Sequence, residues 1–403
     1  MIRIHPFRAW RPTRDKAHLV ATRSFVSYTP ERLREKLADN PYSFLHIIQP
    51  DGLDPHAPRA AKHAQVRASF QHFCAERILE RDPAPALYLY EQSSRGNVSR
   101  GLLAGVSVQD YRAGHIRIHE QTLTAREALF TEYLGTTGIN AEPVLLATDD
   151  HGGWLAALDP VLNTRPEQDF TTGDRVRHRL WPIEDPALIA RVQQAFSHVP
   201  ALYIADGHHR MASSARLAEA NAVGEDHAQA WCLAFIVPRP HLYIYNFDRA
   251  VTTLGGQDER TFLQALARVG RLKPTPSPVA APGVVGVRTA GGWHTLELPL
   301  PAPGTAPADR LDAARLSALV LAPLLGIADL RTDARVRFIP GIEGTAALDR
   351  MVQEGQAEVG FHLHPVDFND LRAVADSGGT MPPKSTYIEP KLRSGLIIHP
   401  LED

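Results

Sequence analysis

Apolar positions in this chain recur with two periods, and proline and glycine mark most of the breaks between them. Short aromatic and β-branched runs at 42–48, 86–90, 101–108, 116–119, 143–147, 201–205 and 231–237 predict strands. Segment 153–158 reads as a hairpin partner of 143–147. Helical spacing marks 60–81, 124–134 and 211–222. Thr29-Pro30 opens an earlier helix, since threonine can cap free N–H groups and proline suits a first turn. Asp185-Pro186 begins another, whose Leu188, Ile189, Val192 and Phe196 share one face. Further on, strands at 284–289 and 293–298 are joined by Ala290-Gly291-Gly292, and 313–325 is helical. Strands at 335–339 and 358–363 flank a helix at 345–354, and 369–376 is a last helix.

Strands and helices mix without strict βα alternation, so the pattern predicts an α+β fold rather than a doubly wound sheet. The length of 403 residues suggests two or three packed domains. We place an N-terminal α/β region at 1–100, a core at 101–252 and a C-terminal α+β domain at 253–403. Its loop 378–386 is expected to return to the site. A composition shift near Gly255 and a Pro/Ala stretch at 274–282, read as a loop or linker, support the last boundary.

Charge narrows the partners. The 43 basic and 45 acidic residues nearly balance, so no global basic field attracts nucleic acid, and that partner is not expected. Cys74 and Cys232, the only cysteines, sit in apolar contexts without CxxC spacing and read as buried thiols in a reducing compartment. The N-terminal residues lack the apolar core of a signal peptide. No run approaches the roughly 18 to 20 apolar residues of a membrane span. A cytoplasmic protein is expected, and a homodimer stays open.

Candidate chemistry gathers at three places. The first is Tyr203-Ile204-Ala205-Asp206-Gly207-His208-His209-Arg210, a polar junction between an apolar strand and a helix start. Glycine allows a tight turn, helix N–H groups can face an anion, and two imidazoles and a guanidinium suit phosphate oxygens. Asp206 could hold magnesium or accept a hydroxyl proton; alternatively it caps the helix while the histidines pack. The second is His119-Glu120, with Thr122 and Glu127 close behind, as general base or metal ligand or as a helix cap with solvated charges. The third is Gly378-Gly379-Thr380-Met381-Pro382-Pro383-Lys384-Ser385-Thr386, an anion-binding loop or a rigid turn. It lacks Walker spacing. His362-Leu363-His364 and Asp149-Asp150-His151-Gly152-Gly153 read as structural or turn features before metal sites. No GxSxG appears, and no GxGxxG follows a strand.

These motifs carry a resemblance. YIADGHHR at 203–210, NPYSFLH at 40–46, HEQT at 119–122, HRLWPI at 178–183 and MPPKSTY at 381–387 resemble the signatures of domain-of-unknown-function family 1015 over nearly the whole chain. The DGHHR junction is also similar to the phosphate-contacting motif of the ParB-like and sulfiredoxin-like superfamily, which includes free serine kinases. That similarity covers about 100–240 and implies a central ParB-like unit followed by a smaller C-terminal α+β region. It also implies phosphoryl transfer from a nucleotide, ADP or ATP, to a small serine-like metabolite, with Mg2+ at Asp206. Asp206, Glu120 and His209 would be catalytic, with Glu120 taking the hydroxyl proton. Gly207, His208, His209, Arg210, Lys384, Ser385 and Thr386 would bind phosphate, and His119 and Thr122 would face the substrate. A nucleotide-binding regulatory module without turnover, or a phosphatase on a phosphorylated metabolite, would use the same cradle. The stretch Ala21-Thr22-Arg23-Ser24-Phe25 departs from the family, lacking its usual tyrosine and aspartate, which implies a different substrate or lost activity.

Overall fold

The strands Leu87–Ser94 (β1) and Asn97–Ser107 (β2) form a hairpin, as the apolar runs predict. Its two turn residues, Arg95 and Gly96, both take positive φ, 52° and 81°, the twist that suits a two-residue hairpin. Around it lie Ile116–Arg117 (β3), Val144–Thr148 (β4), Gln168–Thr171 (β5), Arg177–Ile183 (β6), Leu202–Asp206 (β7) and Trp231–Pro238 (β8). With Ile4–His5 on β2 they make a nine-stranded sheet of order β3-β7-β4-β8-β2-β1-β6-β5. Pairs β7–β3 and β8–β4 are parallel and the others antiparallel. β8 is buried along its length between a parallel and an antiparallel neighbour, which accounts for its unbroken apolar sequence.

The computed structural model describes residues 1–49, 56–149 and 153–402. Two units emerge from its contacts. The first holds Met1–Arg117, Gln121–Leu242 and Pro390–Asp403; the second holds Ile118–Glu120 and Tyr243–Glu389.

In the first unit, helices Thr124–Thr137 (α1), Pro186–Phe196 (α2) and His208–Ala220 (α3) pack with the sheet. Leu188, Ile189, Val192 and Phe196 of α2 join Met211 and Ala215 of α3 in one apolar core beside Leu102, Leu146, Ile204 and Ile236. In the second unit Phe247–Val251 (β9), Arg271–Thr275 (β10), Val284–Thr289 (β11), Gly292–Glu297 (β12), Val336–Pro340 (β13) and Val359–His362 (β14) form an antiparallel sheet. Its order is β10-β12-β11-β14-β9-β13. Helices Thr345–Gln353 (α4) and Phe368–Asp376 (α5) belong to this unit. The fold is α+β with mixed sheets.

Several local expectations fail for identifiable reasons. Segment 42–48 is not a strand: Leu45–Ile48 is one helical turn, started by Ser43, whose hydroxyl accepts the Leu45 N–H at 3.3 Å. A short apolar run fits either period. The helix expected over 60–81 runs Arg59–Ala75; Arg77 then turns at φ 54°, and Leu79–Arg81 pairs with Trp10–Pro12. Segment 153–158 is not a hairpin partner of β4, whose neighbours are β7 and β8; Ala156–Leu158 and Asp159–Leu162 are short helical turns. β3 ends at Arg117, before His119. Part of the stretch expected as a linker is edge strand β10, where Pro274 lies on the sheet's outer rim and interrupts no inner ladder. Asp150, His151 and Gly152 lie outside the described residues.

Candidate active site

β7 delivers four buried residues, Leu202 to Ala205, and then the half-exposed Asp206. It is hydrogen-bonded on both sides, and its register against β4 shifts between Ile204 and Asp206. Such an irregularity re-aims a side chain at a strand end. Gly207 follows at φ 99°, ψ 28°, where a Cβ is disfavoured, and serves as the N-cap of α3. The first N–H groups of a helix have no acceptor within it, and glycine has no side chain to offer them. The Met211 N–H returns to the Gly207 carbonyl at 3.1 Å to close the first turn.

Arg210 folds back over this turn. Its Nη1 donates to the Pro143 carbonyl and lies 3.3 Å from Glu142 Oε1, while Nη2 stands 3.6 Å from Asp206 Oδ2. Burial works against the guanidinium's charge, but Glu142 and Asp206 more than offset it and hold its pKa above the ordinary arginine value. From the C-terminal segment, Lys391 Nζ comes to 3.8 Å from the same Asp206 oxygen. One carboxylate therefore faces two cations.

His208 is buried, whereas His209 is half-buried and its Nε2 accepts the Leu123 N–H at 3.1 Å. Leu123 is the N-cap of α1, so this imidazole ties the start of one helix to the start of another. The Thr122 hydroxyl donates to the Glu127 carboxylate in the first turn of α1. A second tie joins α1 and α3, from Ser213 Oγ to the Glu127 carbonyl at 3.1 Å.

The other two clusters belong to the second unit, where their main chains meet: the Met381 N–H donates to the His119 carbonyl at 2.9 Å. His119 is buried and Glu120 exposed. The glycine pair has a structural task. Gly378, at φ 68°, and Gly379 donate to the carbonyls of Ala375 and Val374 at 3.1 and 3.0 Å, closing the end of α5 in a Schellman pattern. Lys384 takes φ 55°, its carbonyl accepts from Arg249, and its ammonium lies 5.1 Å above the Phe247 ring. Ser385 donates to the Pro382 carbonyl at 2.8 Å.

Around the turn the structure thus gathers Asp206, Gly207, His209 and Arg210 and adds Glu142 and Lys391, which sequence reasoning missed. For Lys391 the available signal was its place just beyond the MPPKSTY signature; Glu142 offered none. Among the described residues no group of three or more His, Cys, Asp or Glu side chains assembles as a metal site. His362 pairs with buried Asp248 at 3.0 Å, and His364 bonds the Pro365 carbonyl. Magnesium fits Asp206 only as an ion shared with phosphate oxygens, with this carboxylate as its single protein ligand. Burial pushes the Cys74 thiol up to about 12 and Cys232 up to about 11, so both stay protonated. No helix among the described residues is long and apolar enough to cross a membrane.

Residues 4–314 match the profile of a family described as a protein of unknown function. No curated protein sequence matches the chain. Among solved structures it is similar to SbnI with a C-terminal truncation from Staphylococcus aureus, at 14% identity over 71% of this chain and 82% of that one, with a TM-score of 0.38. It is also similar to a mutant free serine kinase in complex with ADP, at 13% identity over 73% and 90% of the two chains and a TM-score of 0.36. A conserved hypothetical protein from Pyrococcus furiosus aligns at 12% identity over 72% and 91%, with a TM-score of 0.31. These likenesses are too distant to carry a reaction across.

Proposed function

We propose that this chain, which belongs to the DUF1015 family of proteins of unknown function, transfers a phosphoryl group from a nucleotide, ADP or ATP, to the hydroxyl of a small serine-like metabolite. The observation that carries the reading is the start of α3. A glycine N-cap, a half-exposed carboxylate and two cations within 4 Å of it meet at one strand-to-helix turn. Phosphoryl transfer asks for this kind of provision, namely positioning and charge neutralisation more than covalent chemistry. Main-chain N–H groups from Gly207 to Arg210 meet phosphate oxygens along the positive end of the helix. Asp206 accepts the proton of the attacking hydroxyl or holds Mg2+ against the phosphates; the metal, when bound, supplies neutralisation of developing charge. Arg210 keeps Asp206 ionised. His209 fixes the relation of α1 to the turn. The roles of Glu120, His119, Lys384, Ser385 and Thr386 rest on the sequence resemblance alone, as does that of Thr122.

One observation favours a second reading, a nucleotide-binding regulatory module without turnover. His209 Nε2 is taken by the Leu123 N–H and Arg210 Nη1 by the Pro143 carbonyl, so two groups expected to grip phosphate spend donors or acceptors on the fold. A thermal-shift screen of ADP, ATP, CTP and phosphoserine with Mg2+ tests both readings. A rise in melting temperature with at least one nucleotide is expected, and no rise with any of them removes both. Phosphoserine formed from L-serine then separates the kinase from the sensor. Phosphate released from phosphoserine would point to hydrolysis in the same cradle.

A further inference from the structure

We infer that Lys391 is the side chain that meets the ligand's phosphate at the Asp206 turn, and that segment 390–403 is built into the first unit to deliver it there. The inference deepens the phosphoryl-transfer reading and rests on it.

Placement comes first. Segment 390–403 is stitched to the first unit along its length. Arg393, buried, pairs with Asp174 at 2.7 and 2.9 Å. Ser394 exchanges main-chain bonds with Thr22 at 2.8 and 3.2 Å, and the Gly395 N–H donates to the Ala141 carbonyl at 3.2 Å. Ile398 exchanges two bonds with Trp10 at 3.0 Å each, and the Leu401 N–H donates to the Gly138 carbonyl at 2.8 Å. Glu402 closes the series on the Arg67 guanidinium. With Arg393 anchored two residues on, the Lys391 main chain is fixed and its ammonium has a short arc to sweep. That arc includes the Asp206 carboxylate.

Chemistry comes second. An ammonium carries three N–H donors, and its contact with Asp206, at 3.8 Å, is well beyond the roughly 2.7–2.9 Å of a charge-assisted hydrogen bond. Asp206 orients Lys391 without saturating it. Arg210 differs: it is turned inward, donating to the Pro143 carbonyl and lying 3.3 Å from Glu142. A phosphate arriving beside Asp206 meets a like charge, and a mobile, hydrated cation on a four-carbon stem is suited to stand between the two. Thr22, which holds Ser394, lies in the segment where this chain departs from its family. Substitution there therefore reaches the strap that carries Lys391.

Calorimetric titration of the full-length chain tests this with ADP and, as the probe without phosphate, adenosine. Lys391→Met is expected to weaken ADP at least tenfold, Lys391→Arg no more than threefold, and neither to change adenosine binding. Exposed Lys36→Met serves as a control that leaves both affinities unchanged. ADP binding by Lys391→Met within twofold of wild type overturns the inference and leaves the phosphoryl-transfer reading standing. Equal weakening of adenosine and ADP also overturns it, since Lys391 would then only support the fold. If the wild-type chain binds none of ADP, ATP or CTP, the underlying reading falls and the inference with it.

Discussion

The guanidinium of Arg210 fills the space that a side chain on Gly207 would need: a Cβ there would lie 2.9 Å from Arg210 Nε and 3.1 Å from its Cζ. Gly207 is thus required twice, for its φ of 99° and for the arginine folded over it. Gly207→Ala is expected to cost about 1–2 kcal/mol from the left-handed backbone alone. It should also push Arg210 off Asp206. Urea unfolding together with the nucleotide-induced rise in melting temperature checks this; both should fall. A variant matching wild type in both measurements would mean that the turn tolerates a side chain.

His209 is expected to matter to α1 as much as to any ligand. His209→Ala removes the acceptor for the Leu123 N–H, a net loss of about 0.5–1.5 kcal/mol. Amide exchange localises the effect. Leu123 and the first turn of α1 should exchange faster, while β8 amides keep their rates. Unchanged exchange at Leu123 would contradict the tie.

The sequence made part of this legible and hid the rest for physical reasons. β7 and the Asp206 turn were readable because an apolar run stops at Asp-Gly, and β8 because both its faces are covered. The hairpin β1–β2 was readable from its two apolar runs and the Ser/Gly/Asn turn between them. The turn at Leu45–Ile48 was not, since four apolar residues carry no period. Gly378 and Gly379 were misread as part of an anion loop because glycine serves helix ends and ligand loops alike. Only their carbonyl partners, Ala375 and Val374, decide between the two. Glu142 and Lys391 stayed hidden because their partners in space are remote in sequence.

Acid should destabilise the first unit. His178 lies with Nδ1 2.6 Å from Tyr90 Oη and Nε2 3.3 Å from Thr172 Oγ1. Burial, reinforced by the charge of Arg393, pushes its pKa down to about 3, with Asp174 only partly countering. Burial pushes His399 down to about 3 as well. Both are neutral in the fold. As pH falls below the unfolded value of about 6.5, the unfolded chain binds protons that the fold refuses. Stability then drops, by up to about 1.4 kcal/mol per pH unit for each histidine, until pH approaches 3. Asp174, whose pKa is held low by Thr172 and Arg393 against the effect of burial, adds loss in the same direction at the acid end. Urea midpoints at pH 7 and pH 5 check this. Wild type should lose midpoint, and His178→Gln should lose about 2 kcal/mol less over that interval. Equal losses would show that His178 titrates normally in the fold.

Arg393→Met tests the strap apart from any ligand. It removes the partner of Asp174, which is partly exposed and can rehydrate, so a cost of about 1–3 kcal/mol is expected. Faster proteolysis at 390–403 should accompany it. Wild-type resistance in this variant would mean that the main-chain bonds to Thr22 and Trp10 hold the segment unaided.

The most direct measurement is product formation: the purified chain incubated with ADP or ATP, Mg2+ and L-serine, with phosphoserine followed by mass spectrometry. Phosphoserine is expected from wild type. Asp206→Asn should form it at least about 100-fold more slowly, with nucleotide affinity within a few-fold of wild type. Full turnover in Asp206→Asn, or no phosphorylated product from the wild-type chain, would contradict phosphoryl transfer at this turn.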